Sequence, residues 1–262
     1  MKELNENFVG LYKRWNRGGM RMEDEINIKR IMRGALSSGT YTIKNGIVDV
    51  DGSVKIGDEY LDDGEFPFKF GKVSGDFSCV LCSKLKSLEG APSEVGGDFN
   101  CRYCDKITTL EGAPKEVGGD FDCSNCDSLL SLDGAPEKVG WDFKCSNCKN
   151  LTSLVGAPKE VGGDFHCNAC ITLQSLNGTP EKIGGNFECE FCHSLKKLEG
   201  VPKEVGGDFD CRYCTNLESL EIIPDKIGGK FKCSAHMSLS DSEVKKVIDK
   251  GVDVDFDMND YY

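Results

Sequence analysis

Apolar residues recur along most of this chain with a fixed period of 22 residues. Each unit reads approximately V-G-G-D-F-x-C-x-x-C-x-x-L-x-S-L-x-G-A-P-x-x. Eight units follow one another without an insertion, seven of them complete, and they begin at Val73, Val95, Val117, Val139, Val161, Ile183, Val205 and Ile227. A strict period of this length is typical of stacked supersecondary units that share one continuous core. The pattern therefore predicts a repeat solenoid.

The apolar positions inside one unit predict how the chain folds back on itself. Phe121 and Cys123 are two residues apart, so they point to the same side of a short strand. Leu129 and Leu132 supply inward contacts on the return leg, and the following Gly-Ala-Pro segment predicts a turn. We therefore expect about eight 22-residue coils with short parallel strands.

The period is lost at both ends, where we expect caps. Residues 1–46 predict a helical and hairpin cap whose turn lies at Asn45–Gly46, and residues 47–72 predict a degenerate first coil with Val54 and Ile56 inside. The apolar helix positions of the N-terminal cap are Phe8, Leu11, Tyr12, Trp15, Ile28, Ile31 and Met32. The alternative is that one of the terminal segments docks a partner.

The C-terminal end carries a second predicted cap. The repeat solenoid itself spans residues 73–238, and residues 239–262 predict a cap with an acidic tail. Ser240 and Glu243 have the spacing of a capping box at the start of a short helix that ends at Gly251. The segment VDVDFDMNDYY then alternates apolar residues with aspartate, as an edge strand does.

The repeat resembles two groups of proteins. The stretch F-x-C-x-x-C-x-x-L resembles leucine-rich repeats of the variant in which cysteine replaces the ladder asparagine. GIVDVDGSVKI, FPFKFGKVSGDF and the GAPKEVGGDF units resemble uncharacterised repeat proteins of tailed bacteriophages. The first resemblance implies a leucine-rich-repeat-like solenoid. The second implies a phage-encoded protein that engages or inhibits a host protein, such as a defence factor.

Charge and composition narrow the classes of partner. The formal net charge is −12, which argues against a general nucleic-acid binder because phosphate contacts need clustered Lys and Arg. No apolar run approaches 18 residues and the N-terminus has no apolar leader region, so neither membrane spanning nor secretion is predicted. We expect a cytoplasmic protein, in the host cytoplasm if the chain is phage-encoded, with its 15 cysteines reduced.

The cysteines allow two interpretations. Consecutive pairs, such as Cys79 and Cys82 with Cys101 and Cys104, fit the C-x2-C-x18-C-x2-C spacing of a zinc site. Alternatively, each cysteine of the pair belongs to an internal ladder, since cysteine is often buried and tolerates close stacking. We favour the ladders, because a zinc site would pull inward strand residues out of register. The sequence thus predicts no metal and no cofactor, with a zinc-binding Cys-x-x-Cys repeat protein as the alternative function.

Charged residues recur at two further sets of equivalent positions in successive units, and we call each such set of positions a column. The two positions after the turn proline alternate in sign from unit to unit, as in Lys115, Glu137 and Lys159, which predicts that they set the register of stacking. An acidic column lies just before the buried Phe and consists of Asp76, Asp98, Asp120, Asp142, Asp164 and Asp208, interrupted by Asn186. Stacked carboxylates can hold calcium, but a local hydrogen bond to turn backbone is the interpretation we favour.

No enzymatic motif is present, so specificity is expected where the repeat is irregular. Aromatic and arginine side chains are the usual anchors of protein interfaces. We predict a non-enzymatic solenoid that binds a protein partner through its strand face. The variable column of that face is Ser78, Asn100, Asp122, Lys144, His166, Glu188, Asp210 and Lys232. The candidate partner-binding residues are Trp141, Tyr103, Arg102, Tyr213, Arg212, Phe191 and His166.

Overall fold

The structure is a computed structural model that describes residues 22–234, 245, 247–248 and 253–257. The predicted apolar helix face at Phe8, Leu11, Tyr12 and Trp15 lies outside the described residues. So does the predicted C-terminal helix, except for helical backbone at Lys245, Val247 and Ile248.

The described chain is a parallel β-solenoid of about eight coils, and the predicted repeat solenoid is confirmed. Strands of neighbouring coils pair in parallel with partners 22 residues apart, as for Phe121 with Phe143 and Phe143 with Phe165. Between residues 73 and 226 each coil carries two short strands and no helix. The sequence predicted the strand that contains the Phe but not the one that contains the Val.

The strands form two ladders along the solenoid. The Val ladder consists of β3 (Lys69–Val73), β5 (Glu94–Val95), β7 (Glu116–Val117), β9 (Lys138–Val139), β11 (Glu160–Val161), β13 (Lys182–Ile183), β15 (Glu204–Val205) and β17 (Lys226–Ile227). The Phe ladder consists of β4 (Phe77–Ser78), β6 (Phe99–Asn100), β8 (Phe121–Asp122), β10 (Phe143–Lys144), β12 (Phe165–His166), β14 (Phe187–Glu188), β16 (Phe209–Asp210) and β18 (Lys230–Ser234).

The N-terminal end is closed by a helix and a hairpin, as predicted. Helix α1 (Met22–Ala35) buries Ile28, Ile31 and Met32 and leads into the antiparallel pair β1 (Leu36–Lys44) and β2 (Ile47–Lys55). The turn lies at Asn45–Gly46, where both residues have positive φ, as a two-residue hairpin turn requires. Strand β2 pairs in parallel with β3 and β4, and a 3₁₀ turn follows at Asp58–Tyr60.

The C-terminal end is extended by one more strand. Strand β19 (Asp253–Asp257) pairs in parallel with β18, with Val254 opposite Phe231. The predicted strand in the VDVDFDMNDYY segment is therefore confirmed, and it continues the Phe ladder. The one helix whose bounds are described, α1, falls short of the length and apolar content needed to cross a bilayer.

The core is a set of columns in which each residue stacks on its equivalent in the next coil. The buried Phe rings from Phe77 to Phe231 have centroids 5.1–5.6 Å apart. Aromatic pairs of this kind contribute about 0.5–1.5 kcal/mol each beyond the burial of their area. Leu129, Leu132 and their equivalents are buried on the return leg.

Glycine permits the close approach of the coils where the Val ladder ends. A Cβ added to Gly162 would lie 2.1 Å from the carbonyl oxygen of Gly140 in the preceding coil. The same contact recurs along the column, so any side chain there would push two coils apart. The first glycine of each Gly-Gly pair is therefore required by the stacking distance.

The alternating charge columns form ion pairs between coils. Lys159 Nζ lies 3.0 Å from Glu137 Oε2, and Lys203 Nζ lies 2.7 Å from Glu181 Oε1. In the adjacent column Lys182 Nζ lies 3.2 Å from Glu204 Oε2. These side chains are mostly exposed, so each pair contributes only about 0–1 kcal/mol. Their sequence of signs opposes a one-coil slip, which supports the predicted role in register.

Candidate binding surface

The residue before the second cysteine of each unit has left-handed backbone. Its φ lies between 56° and 63° in seven consecutive coils, at Leu81, Tyr103, Asn125, Asn147, Ala169, Phe191 and Tyr213. In six of these coils the backbone N–H at this position donates to a carbonyl of the next coil, as from Asn125 to Ser146 at 2.9 Å, and that of Tyr213 donates to Ser234 Oγ at 2.7 Å. Stacking therefore fixes the conformation whichever residue occupies the column. We call this column the left-handed edge.

Bulky side chains occupy the left-handed edge near both ends of the solenoid. Leu81 is 66% exposed, Tyr103 38% and Phe191 43%. The rings of Phe191 and Tyr213 stack with centroids 4.4 Å apart and planes 7° from parallel. Left-handed backbone favours Asn and Gly, and it costs other residues about 1–2 kcal/mol. Aromatic and leucine side chains here are therefore not the choice that stability favours.

The middle of the left-handed edge is polar, and its side chains are hydrogen-bonded to each other. Asn147 Nδ2 donates to Asn125 Oδ1 at 2.5 Å, and both residues suit left-handed backbone. Two apolar patches, Leu81 with Tyr103 and Phe191 with Tyr213, thus flank a polar centre. The structure brings Phe191 and Tyr213 together as neighbours, and it places Tyr103 four coils away from Phe191.

Each tyrosine of the edge follows an arginine. Arg102 Cζ lies 5.3 Å from the centroid of the Tyr103 ring, and Arg212 Cζ lies 6.0 Å from that of Tyr213. Cation–π contacts at such distances are worth about 0.5–1 kcal/mol at exposed sites. The predicted candidates therefore form two local groups, Arg102 with Tyr103, and Arg212 with Tyr213 and Phe191.

The charged side chains of the strand face are mostly paired with one another. Lys144 Nζ lies 2.5 Å from Asp120 Oδ2 and 3.2 Å from Asp142 Oδ2. Lys232 Nζ lies 2.7 Å from Asp208 Oδ2. This face, predicted from its irregular sequence as the docking surface, thus carries charges that already neutralise each other between coils. Ion pairs between coils therefore explain why the residue type in the column of Lys144 and Lys232 varies from unit to unit.

The acidic column is a hydrogen-bonded ladder. Oδ1 of Asp98 accepts the backbone N–H of Asp120 at 2.8 Å, and Oδ1 of Asn186 accepts that of Asp208 at 2.8 Å. The favoured backbone-bonding role is therefore present, but the donor lies in the next coil instead of in the local turn.

His166 lies within a group of acidic side chains. Its Nδ1 is 2.8 Å from Glu188 Oε2, and its Nε2 is 3.8 Å from Asp164 Oδ2 and 4.0 Å from Asp142 Oδ2. Burial alone would lower the pKa of His166, but the hydrogen bond to Glu188 and the surrounding carboxylates outweigh it, so the pKa is raised. An imidazolium here neutralises the aspartate ladder, as Lys144 does one coil earlier.

The same residues are the metal-ligand candidates of the described chain. Ligand atoms of Asp142, Asp164 and His166 lie within 4.8 Å of one another, and no other group of three or more such residues does so within the described residues. The Lys144 ammonium lies 3.2 Å from the same Asp142 Oδ2, and a bound cation would have to displace it.

The cysteines form two buried ladders. The described cysteines are all free and buried. The thiol of the second cysteine donates to the carbonyl of the first cysteine in the preceding coil, as from Cys126 to Cys101 at 3.3 Å. Burial raises the pKa of the Cys123 and Cys148 thiols well above the ordinary value. Zinc binds thiolates, so this environment favours the ladder interpretation over the zinc site.

Trp141 stands apart from these groups. It occupies the second glycine position of its unit, and its side chain is 67% exposed. Among the described residues no ring contact involves it. The structure therefore leaves it as an exposed aromatic residue beside Asp142, and does not bring it together with Tyr103, Phe191 or Tyr213.

A groove that the sequence did not predict lies at the N-terminal end. It has a volume of about 830 Å³ and lies between the hairpin, at Thr40 and Thr42, and the Val ladder. Glu94 and Glu116 line it as direct neighbours in the ladder, at the point where the alternation of charge fails. The break in the alternation of charge at Glu94 and Glu116 could have indicated the groove from the sequence. The position of the hairpin beside the Val ladder could not be predicted from the repeat.

Comparison with known protein families, with curated proteins and with solved structures finds no match to this chain. The surface of the solenoid is therefore the part of the molecule that indicates a function.

Proposed function

We propose that this protein is a non-enzymatic solenoid that binds another protein along the left-handed edge. The observation that carries the proposal is the exposure of Leu81, Tyr103 and Phe191 at left-handed positions, with the half-buried Tyr213 stacked on Phe191. Asn125 and Asn147 show that the same fold accommodates a less strained residue there. Exposed aromatic residues beside arginine are typical of the energetically dominant part of protein interfaces.

The strand face has a smaller part in this proposal. Lys144, His166 and Lys232 are engaged by carboxylates of the same chain, so a partner would have to replace existing ion pairs there. Trp141 remains a second contact candidate because it is the most exposed aromatic residue whose exposure is described.

The resemblance to leucine-rich repeats and to repeat proteins of tailed bacteriophages extends the proposal to the class of partner. On that basis the partner is a protein of the bacterial host, and binding in the host cytoplasm inhibits it. The support for this extension is the F-x-C-x-x-C-x-x-L pattern and the quoted N-terminal segments alone.

The test compares variants of the full chain as bait in bacterial lysate. Phe191→Asn with Tyr213→Asn removes the ring stack, worth about 0.5–1.5 kcal/mol. It also relieves left-handed strain of about 1–2 kcal/mol per residue, so the fold should be retained. The control is Leu130→Thr, which removes an exposed leucine from another column where the adjacent coils have Thr108 and Thr152.

We expect proteins that wild type and Leu130→Thr capture equally and the double variant does not. Isothermal titration calorimetry with such a protein, purified, should then show at least a tenfold loss of affinity for the double variant. Equal capture by all three baits would refute binding at the edge, and the terminal segments would become the next candidates.

A further inference from the structure

The motif Cys-Arg-Tyr-Cys occurs twice, at residues 101–104 and 211–214, which are five 22-residue coils apart. Tyr103 and Tyr213 have nearly the same left-handed backbone, with φ of 59° and 60°. The arginine lies over the tyrosine ring in both copies. The two sites therefore differ mainly in the residues around each guanidinium group.

Arg212 is held by two carboxylates. Its Nε donates to Asp210 Oδ1 at 3.0 Å and to Oδ2 at 3.1 Å. Its Nη2 donates to Asp210 Oδ2 at 2.7 Å and to Glu190 Oε1 at 2.9 Å. This guanidinium is thus neutralised within the protein.

Arg102 lacks both of these partners. The residues equivalent to Asp210 and Glu190 are Asn100 and Val80. The ion pair of Arg102 is with Asp122, whose Oδ2 lies 3.6 Å from Nε, too far for a hydrogen bond. Nε is buried without a hydrogen-bond partner, and within the described residues neither Nη1 nor Nη2 donates to an acceptor. The side chain is 40% exposed, compared with 29% for Arg212.

Apolar surface adjoins this guanidinium. Tyr103 lies next to Arg102 in the chain, and Leu81 lies one coil away in the same left-handed edge, its N–H donating to the Arg102 carbonyl at 2.9 Å. A partly buried cation that lacks hydrogen bonds and is flanked by exposed apolar side chains suits a ligand with a carboxylate beside an apolar group. Carboxylates bind arginine through two parallel hydrogen bonds, here to Nη1 and Nη2.

We propose that Arg102 is the anchor for an aspartate or glutamate side chain of the partner protein, whose neighbouring apolar side chain packs on Tyr103 and Leu81. This proposal rests on the proposed protein-binding function and names the chemistry that the edge recognises. Arg212 has the same motif but is occupied by its own carboxylates, so it provides the internal control.

The test uses the ¹⁵N-labelled full chain and the Nε–H signals of the two arginines. The probes are the dipeptides N-acetyl-Glu-Phe-amide and N-acetyl-Gln-Phe-amide, which differ only in the carboxylate. We expect the Arg102 signal to shift saturably with the Glu dipeptide and much less with the Gln dipeptide, while the Arg212 signal stays in place. No shift of Arg102, equal shifts with both dipeptides, or an equal shift of Arg212 would overturn the proposal.

Two exchange variants test the proposal without removing either arginine. Asn100→Asp with Val80→Glu gives Arg102 the equivalents of the two carboxylates that hold Arg212, and the response to the Glu dipeptide should disappear. Asp210→Asn with Glu190→Val removes the two carboxylates that hold Arg212, and a new response should appear at Arg212. A gained response cannot come from unfolding, and far-ultraviolet circular dichroism checks the fold of both variants.

The exchange variants overturn the proposal if the first keeps its response at Arg102 or the second gains none at Arg212. Failure here is distinguishable from failure of protein binding. If the dipeptide results are negative but Phe191→Asn with Tyr213→Asn still loses a captured protein, the edge binds a protein by means other than a carboxylate.

Discussion

The Cys148 thiol lies 3.4 Å from the carbonyl oxygen of Cys123, one coil earlier, and donates a hydrogen bond to it. Both residues are fully buried, and burial raises the pKa of each thiol well above the ordinary value. Cys123 and Cys148 are therefore positioned as protonated thiols that join neighbouring coils.

This arrangement predicts slow reaction of the thiols in the native protein. We expect Ellman's reagent to modify few thiols without denaturant and all 15 cysteines after unfolding in guanidinium chloride. Zinc content measured on the same sample should be far below one ion per two coils. Rapid labelling of most thiols, or unfolding by a chelator, would support the zinc interpretation instead.

Two neighbouring glycines are expected to differ in their tolerance of a side chain. Gly162→Ala places a Cβ 2.1 Å from the backbone oxygen of Gly140, so the coils must move apart at a cost of about 1–3 kcal/mol. In Gly163→Ala the nearest atom is the side-chain oxygen Asp142 Oδ1, which accepts the N–H of Asp164, and the nearest backbone atom is the carbonyl carbon of Trp141 at 2.9 Å. Trp141 already occupies the equivalent position one coil earlier.

Urea denaturation of both variants measures this difference. The free energy of unfolding should fall clearly more for Gly162→Ala than for Gly163→Ala. Equal losses would show that the two glycine columns are constrained alike and that the coil around Trp141 is specially adapted.

The aspartate ladder predicts that two substitutions of Asp98 differ in their effect on the free energy of unfolding. Asp98→Ala leaves the N–H of Asp120 without its acceptor and should reduce the free energy of unfolding by about 0.5–1.5 kcal/mol. Asp98→Asn keeps an oxygen at the same place, as Asn186 does, and should cost less. If the two substitutions destabilise the protein equally in thermal unfolding, the charge matters more than the hydrogen bond.

His166 predicts a dependence of stability on pH. Its pKa is raised in the folded state by Glu188, Asp164 and Asp142, in spite of partial burial. A raised folded pKa stabilises the protein fully below the unfolded pKa, about 6.5 for histidine. The contribution is lost as the pH rises through the folded value.

The measurement is the free energy of unfolding of wild type and His166→Gln from pH 5 to pH 9. The difference between the two should shrink as the pH rises across this window. Leu130→Thr, which changes no ionisable group, serves as the control, and its difference from wild type should not vary with pH. A constant difference between wild type and His166→Gln would mean that the histidine charge does not contribute.

The sequence by itself determined the stacking. A 22-residue period without insertions can bury Phe121, Cys123 and Leu129 only if equivalent residues lie on top of each other. The coil number, the Phe strand and the turn at Asn45–Gly46 followed from this period and from local turn chemistry. The Val strand was missed because two residues, Glu94 and Val95 in one coil, show no alternation of their own.

The proposed binding surface could be chosen only from the tertiary structure. Tyr103, Phe191 and Tyr213 were candidates because they vary, but only the folded coil shows that they share a left-handed backbone position. The strand face was chosen for its irregular charges, whereas stacking brings Lys144 and Lys232 within reach of carboxylates in the preceding coils. Arg102 and Arg212 share the Cys-Arg-Tyr-Cys motif. They are separated by Asn100 or Asp210 two residues earlier, which the sequence shows, and by Val80 or Glu190 one coil away, which become neighbours of the arginines only when the coils stack.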